Sequence, residues 1–239
     1  MNEEIKQLKV KLFLDGASNA DLHEILDNSL IKGFTTNPTL MRKEGVKNYQ
    51  DFAQEMLALF PNHPISFGVC SDDFLEMEQQ ALQIASWGEN VYIKIPIINT
   101  QRESSYNLIE KLSAQKVKLN ITAVMTEDQV HRAIQALALD VKSYISIFAG
   151  RIADTGRDPV ALMKVALDFL KDSPQIELIW ASPRELYNIF QANEVGCHVI
   201  TLTKDLLKKL PLIGCNLEDY SLDTVKMFYN DACEAGFKL

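Results

Sequence analysis

Short apolar runs rich in β-branched residues recur along the chain at Val10–Asp15, Gly33–Thr36, Pro64–Val69, Val91–Ile95, Val117–Thr122, Ser143–Phe148, Ile176–Ala181 and His198–Leu202. Their length and composition predict eight strands. Between them lie stretches with apolar residues at helical spacing: Asn19–Leu30, Tyr49–Phe60, Asp72–Trp87, Gln101–Ala114, Glu127–Leu139, Pro159–Leu170 and Pro183–Asn193. In Asp72–Trp87, Phe74, Leu75, Met77, Ala81, Leu82, Ile84 and Ala85 fall largely on one face, behind an acidic start that suits a helix N-terminus. Strict alternation of strand and helix predicts a parallel α/β sheet. Eight such units in one chain of this length predict a closed (β/α)8 TIM barrel. An open doubly wound sheet is the alternative, but Asp15-Gly16-Ala17-Ser18-Asn19 carries neither G-x-G-x-x-G nor a P-loop after the first strand. Leu217–Ala235 reads as an extra C-terminal helix, placed to cap the barrel or to reach a neighbouring subunit.

Composition narrows the class. The 239 residues are 47% hydrophobic and 23% charged, enough apolar surface for one large core and too little polar bias for disorder, so a single domain over 1–239 is expected. The formal net charge of −8 argues against nucleic acid or an anionic membrane as a partner. Any anionic ligand must be held by a local cluster. No apolar run reaches the length of a membrane span or a signal peptide, and a cytoplasmic location is expected. Cys70, Cys197, Cys215 and Cys233 are scattered, and His23, His63, His131 and His198 form no ligand motif. No metal or cofactor is expected.

In a barrel of this kind the reactive groups sit at the C-terminal strand ends. There the sequence places Asp15, Thr35, Thr36, Asn37, Lys94, Asn120, Thr122, Ser146 and Ser182. Strand alternation puts Asn120 with Thr122, Ser146 with Phe148 and Tyr92 with Lys94 on common faces, which converge if they point inward. Lys94, in VYIKIP, has apolar neighbours, and a dry setting disfavours its ammonium form. A neutral amine adds to carbonyls and forms a Schiff base. On an exposed sheet edge the same residue would be a solubilising lysine, but a closed barrel has no edge. Asp15 suits a general acid/base beside the imine carbon, or else caps the following helix. Asn120 and Thr122 orient a water or substrate hydroxyl, or merely fill a barrel layer. Arg151 after strand six, and Ser182 and Arg184 at the start of the next helix with Pro183 at its first position, compose an anion site. A surface ion pair is the plain alternative for either arginine.

The segments LFLDGAS (12–18), GFTTNPTLM (33–41), VYIKIP (91–96), LNITAV (119–124), YISIFAGRIADTG (144–156) and LIWASPRE (178–185) resemble the transaldolase family, including its shorter members and the related fructose 6-phosphate aldolases. The resemblance implies a metal-independent Schiff-base transferase of pentose phosphate pathway type, moving a dihydroxyacetone unit between sugar phosphates. It implies Lys94 as the imine-forming lysine, Asp15 as acid/base and Thr122 as holder of the catalytic water. Asn37 and Asn120 would bind the dihydroxyacetone hydroxyls, Thr35, Ser146 and Phe148 would line the pocket, and Arg151, Ser182 and Arg184 would take the phosphate. It also implies assembly into a homo-oligomer, with Leu217–Ala235 as a joining helix. Two positions depart from the family pattern. Gly68 stands where the third strand normally presents Glu or Gln, opening room for a bulkier substrate or leaving Ser66 or Ser71 to substitute. Gly16 stands where Thr or Ser is common, with Ser18 nearby.

Four functions are thereby set in order. A transaldolase leads, followed by an aldolase or a family member with a specialised sugar substrate. A sugar-phosphate binder without turnover comes third, since a binder has little need of a dry amine. A metal-dependent aldolase comes last.

Overall fold

The computed structural model describes residues 3–16, 25, 26, 28–43 and 45–237. Eight parallel strands close into a barrel in chain order: β1 (Lys11–Asp15), β2 (Ile31–Thr35), β3 (Ile65–Gly68), β4 (Val91–Pro96), β5 (Leu119–Val124), β6 (Ser143–Ile147), β7 (Ile176–Trp180) and β8 (Val199–Thr203). Closure is direct. Leu12 registers with Ile200 and Asp15 with Thr203 across β1 and β8, which removes the open-sheet alternative.

The strands are apolar on both faces because both are covered. Outward residues such as Ile93, Ile95, Leu119, Ile145, Leu178 and Ile200 join one core with helix residues Met77, Ile109, Val130, Met163 and Ile189. Each such side chain contributes about 1.5–3 kcal/mol on burial. Inward residues Phe13, Tyr92, Tyr144, Ile179 and Val199 form a separate plug inside the barrel. Tyr144 stacks obliquely on Tyr92 at 4.6 Å and meets the Phe13 ring edge-on at 5.7 Å. Gly33 makes room for that layer, since a Cβ there would sit 2.5 Å from the Phe13 ring. The plug closes the barrel below the mouth, so polar groups above it face a floor of aromatic rings.

Helix starts follow local capping more closely than apolar spacing alone. Phe74–Ala85 begins after Asp73, whose carboxylate accepts the N–H groups of Leu75 and Glu76, while Asp72 turns away to Thr100. Glu127–Ala136 opens on a reciprocal capping box between Thr126 and Gln129. Two expected starts are corrected. The helix expected from Gln101 begins at Tyr106, because Asn99 Oδ1 takes the N–H groups of Gln101 and Glu103 and Arg102 adopts a left-handed φ of 66°. The helix expected from Pro183 begins at Tyr187, because Ser182 has φ 58° and Asn188 Oδ1 holds the N–H groups of Arg184 and Glu185. Most of the expected helix Asn19–Leu30, and Ser18, lie outside the described residues. The C-terminal helix spans Leu217–Glu234, and none of its residues is buried. It does not cap the barrel. No described helix is long and apolar enough to cross a membrane.

Candidate functional site

Strand alternation and register bring the polar residues of the C-terminal strand ends to one mouth. Lys94 on β4 lies level with Gly68 on β3 and Asn120 on β5. Because β4 is paired on both sides, Lys94 is no edge residue. Its Nζ donates to the Thr36 carbonyl at 2.9 Å. Burial pushes the amine below the ordinary lysine value, and the nearby Asp15 carboxylate offsets part of that shift. The site therefore holds an amine biased toward its uncharged form beside a carboxylate.

Two buried hydrogen-bond chains flank this amine. Thr35 Oγ1 donates to Asp15 Oδ1 at 2.7 Å and lies 2.7 Å from Thr201 Oγ1. A hydroxyl has one proton, so Thr201 must be the donor in the second bond. On the other side Ser146 Oγ donates to Asn120 Oδ1 at 2.7 Å, and Asn120 Nδ2 donates to Ser66 Oγ at 2.9 Å. Thr35, Asn120 and Ser146 are 2%, 0% and 1% exposed. Thr35, expected to line the pocket, is thus committed to Asp15, and Asn120 and Ser146 are committed to one another beneath the mouth. Thr122 Oγ1 differs: it is buried and has no hydrogen-bond partner among the described residues. Immediately after it, β5 bulges against β6, with Ala123 at φ 61°.

The remaining expected residues divide. Asn37 spends its side-chain oxygen on the N–H groups of Thr39 and Leu40, capping the helix Pro38–Lys43. Phe148 is half-buried and precedes the short helix Ala149–Ala153. Arg151, in that helix, is exposed and has no ion-pair or hydrogen-bond partner among the described residues. The Ser182 carbonyl lies where a Cβ on Gly150 would be, 1.5 Å from it, which joins the loops after β6 and β7 through a glycine. Arg184 pairs with Asp154, its Nε donating to Oδ1 at 3.0 Å and its Nη2 to Oδ2, and the pair is half exposed. The alternative of a surface ion pair is the arrangement seen for Arg184. The free backbone N–H groups expected of a helix start are not available at Arg184 and Glu185, because Asn188 Oδ1 accepts both.

At Gly68 a Cβ would meet nothing within 4 Å, and the backbone is not left-handed. Ser71, a proposed substitute, donates instead to Glu76. Gly16 has φ 62°, and a Cβ there would lie 2.6 Å from Leu40, so the missing hydroxyl has a backbone reason. Sequence reasoning passed over Thr201, although the alternation of VITLT already paired it with Thr203 on one face. Tyr49, whose hydroxyl donates to the Gly68 carbonyl at 3.0 Å, gave no signal because it starts a helix 19 residues before Gly68, outside any strand. Among the described residues no cluster of three or more His, Cys, Asp or Glu side chains could hold a metal ion.

Comparison with solved structures supports the architecture alone. A structure described as native KDPGal superposes with a TM-score of 0.55 at 12% identity, covering 82% of each chain. A cube-shaped, highly porous protein cage designed by fusing symmetric oligomeric domains superposes with a TM-score of 0.55 at 13% identity, over 98% of this chain and 87% of that one. Sequence comparison goes further. A probable transaldolase of Dehalococcoides mccartyi is 32% identical over 218 residues, 90% of this chain and 97% of that protein. A probable transaldolase 2 of Listeria monocytogenes is 32% identical over 90% of this chain and 95% of its own, and a probable transaldolase of Nitrosopumilus maritimus 30% identical over 91% and 96%. The profile of the transaldolase/fructose-6-phosphate aldolase family matches residues 12–238, and the chain belongs to that family.

Proposed function

We propose that the protein is a Schiff-base transaldolase that moves a dihydroxyacetone unit between sugar phosphates. The observation that carries this reading is the Lys94 amine, held among apolar strands, biased toward the neutral form by burial and facing Asp15. The neutral Nζ adds to C2 of a ketose phosphate, and loss of water gives the imine. Asp15 takes the proton of the C4 hydroxyl as the C3–C4 bond breaks. The bonding pair moves into the imine to give an enamine, and an aldose phosphate leaves. The enamine carbon then attacks the aldehyde of an acceptor, whose oxygen receives the proton from Asp15. Water adds to the new imine and releases the product ketose and the free amine. Thr122, with a buried hydroxyl that has no other partner among the described residues, is the proposed holder of that water. Arg151 and Ser182, at the side of the mouth made by β6 and β7, are the proposed phosphate contacts, joined by Arg184 when it releases Asp154.

Gly68 keeps a second reading open, an aldolase that frees dihydroxyacetone, because the side chain that normally helps position water on the third strand is missing. Borohydride reduction in the presence of fructose 6-phosphate tests the chemistry. One adduct on Lys94, lost in Lys94→Ala, is expected; no adduct, or one that persists in the variant, defeats the proposal. Turnover that is indifferent to erythrose 4-phosphate assigns aldol cleavage in place of transfer.

Self-association is part of the same proposal. On the helix Leu217–Glu234, Leu217, Tyr220 and Phe228 share one face by helical spacing, and Leu222, Val225 and Tyr229 widen it. All are exposed, Phe228 by 62%. An apolar face of this extent calls for a cover, and a second copy of this chain is the proposed one.

A further inference from the structure

The end of the barrel opposite the mouth holds a cavity of about 360 Å³, a volume typical of small-molecule sites. It is bounded by residues that begin or precede β1, β4, β5, β6 and β7. Its floor is the aromatic plug seen from below. Tyr92 and Tyr144 line it, and they lie two residues before Lys94 and Ser146 on the same strand faces. Reactive groups of such barrels stand at the C-terminal strand ends, so a cavity at the N-terminal ends is a place for binding and not for turnover.

The charge there runs against the rest of the protein. Lys11, Lys118 and Lys142 line the cavity, opposed only by Glu89 and Glu177, in a chain whose formal net charge is −8. Lys11 is spent, since its Nζ donates to both Glu177 oxygens at 2.6 Å. Lys118 donates to the Glu89 carbonyl, not its carboxylate, and its Nζ stands 6.0 Å from the centre of the Tyr92 ring. Lys142 has neither an ion-pair nor a hydrogen-bond partner among the described residues. Asn120 registers with Tyr144, which puts Lys118 and Lys142, two residues before each, level at the start of neighbouring strands. Such strands stand about 4.8 Å apart. Two ammonium groups without carboxylates repel at that spacing, and an anion held between them removes the repulsion.

The tyrosines add neutral donors. Burial first, and the Glu177 carboxylate as well, hold both phenols above their ordinary value, so both keep their protons. Neither hydroxyl donates to a carbonyl or carboxylate among the described residues. When one donates to the other, the pair uses one of its two protons and leaves one for a ligand. Two ammonium groups and a phenol together offer more donors than a carboxylate takes, and they suit the three free oxygens of a phosphate.

We propose that this cavity is a second ligand site, which binds a phosphate group, free or carried on a small molecule, between Lys118 and Lys142 and across the aromatic layer from Lys94. It uses no residue of the Schiff-base reading and stands or falls apart from it.

Calorimetric titration tests the site with inorganic phosphate and with glycerol 3-phosphate, which has no carbonyl and forms no imine. The samples are the wild-type protein, Lys118→Gln, Lys142→Gln and Arg151→Ala, the last removing a phosphate contact proposed at the mouth. Unfolding midpoints show which variants keep the fold, and either lysine variant suffices. Saturable binding is expected in wild type, weakened about 10-fold in a folded lysine variant, the lower end for a hydrogen bond to a charged group, and kept in Arg151→Ala. Where wild type shows two sites, the lysine variants should lose one and Arg151→Ala the other. Tighter binding of glycerol 3-phosphate assigns a carried phosphate, and equal or weaker binding a free ion. Loss in Arg151→Ala alone places the anion at the mouth and overturns the second site. A uniform loss in all three variants, which marks general attraction of charge, or no saturable binding at millimolar concentration, overturns it as well.

Discussion

Thr35 hands its only hydroxyl proton to Asp15, at 2.7 Å, and receives one from Thr201 at the same distance. The direction of the chain Thr201 to Thr35 to Asp15 follows from proton counting, and it ends on the carboxylate proposed to act on the C4 hydroxyl. A buried donor of this kind fixes which oxygen of Asp15 is left for substrate. Thr35→Val keeps the shape and removes the bond. It is expected to lower kcat about 10-fold with little change in KM for fructose 6-phosphate, and Thr35→Ser should restore most of the loss. A variant altered in KM alone would return Thr35 to the binding role read from sequence.

Lys94 should cost the fold stability at neutral pH. In the unfolded chain its amine titrates at the ordinary value of 10.5, and burial lowers it in the folded barrel. Its contribution is therefore fully present above 10.5 and is lost as pH falls toward the depressed folded value. Lys94→Met relieves the loss, and Asp15 retains its bond from Thr35. The midpoint of thermal unfolding at pH 7 is expected to rise by about 2–4 °C for each kcal/mol relieved, with the gain shrinking toward pH 10.5. An unchanged or lower midpoint at pH 7 places the amine in water.

The loops after β6 and β7 are locked by one missing side chain. Gly150→Ala would bring a Cβ to 1.5 Å from the Ser182 carbonyl, a clash with backbone that no rotamer relieves. Denaturant unfolding is expected to show a loss of about 3 kcal/mol or more. Gly68→Ala should move the other way by about 0.5 kcal/mol, since it adds a methyl to open space and restricts the unfolded chain. Equal effects of the two would contradict the contrast between a required glycine and a free one.

Arg184 is held by Asp154 in a pair that is half exposed, so the pair itself is worth about 0–1 kcal/mol. Asp154→Asn frees the guanidinium for a phosphate. Steady-state kinetics are expected to show a KM for fructose 6-phosphate lowered several-fold, with no change for unphosphorylated dihydroxyacetone. A KM that rises means Asp154 orients the arginine toward substrate instead of restraining it.

The exposed helix Leu217–Glu234 offers a direct reading of assembly. Light scattering on the intact chain is expected to give a multiple of 27.0 kDa, and Phe228→Glu to shift the mass downward, because it puts a charge in the middle of the apolar face. A monomer in both samples removes the proposed self-association.

Alternation of apolar runs and helical stretches was enough to determine eight parallel strands in a barrel, because each unit must bury both sheet faces and only closure leaves no edge. The same alternation put Asn120 with Thr122, Ser146 with Phe148 and Tyr92 with Lys94 on common strand faces, since the two-residue period of a strand is fixed by its backbone, and left to barrel closure which faces point inward. Tertiary structure decided which of these groups remain available for chemistry. Whether Thr35 touches a ligand or Asp15, whether Arg184 is free or paired, and whether Asn188 fills the N–H groups after Ser182 depend on partners 3 to 166 residues away. Distances across the mouth, unlike the period of a strand, are set by how barrel closure and loop packing bring remote atoms together, and no local pattern encodes them.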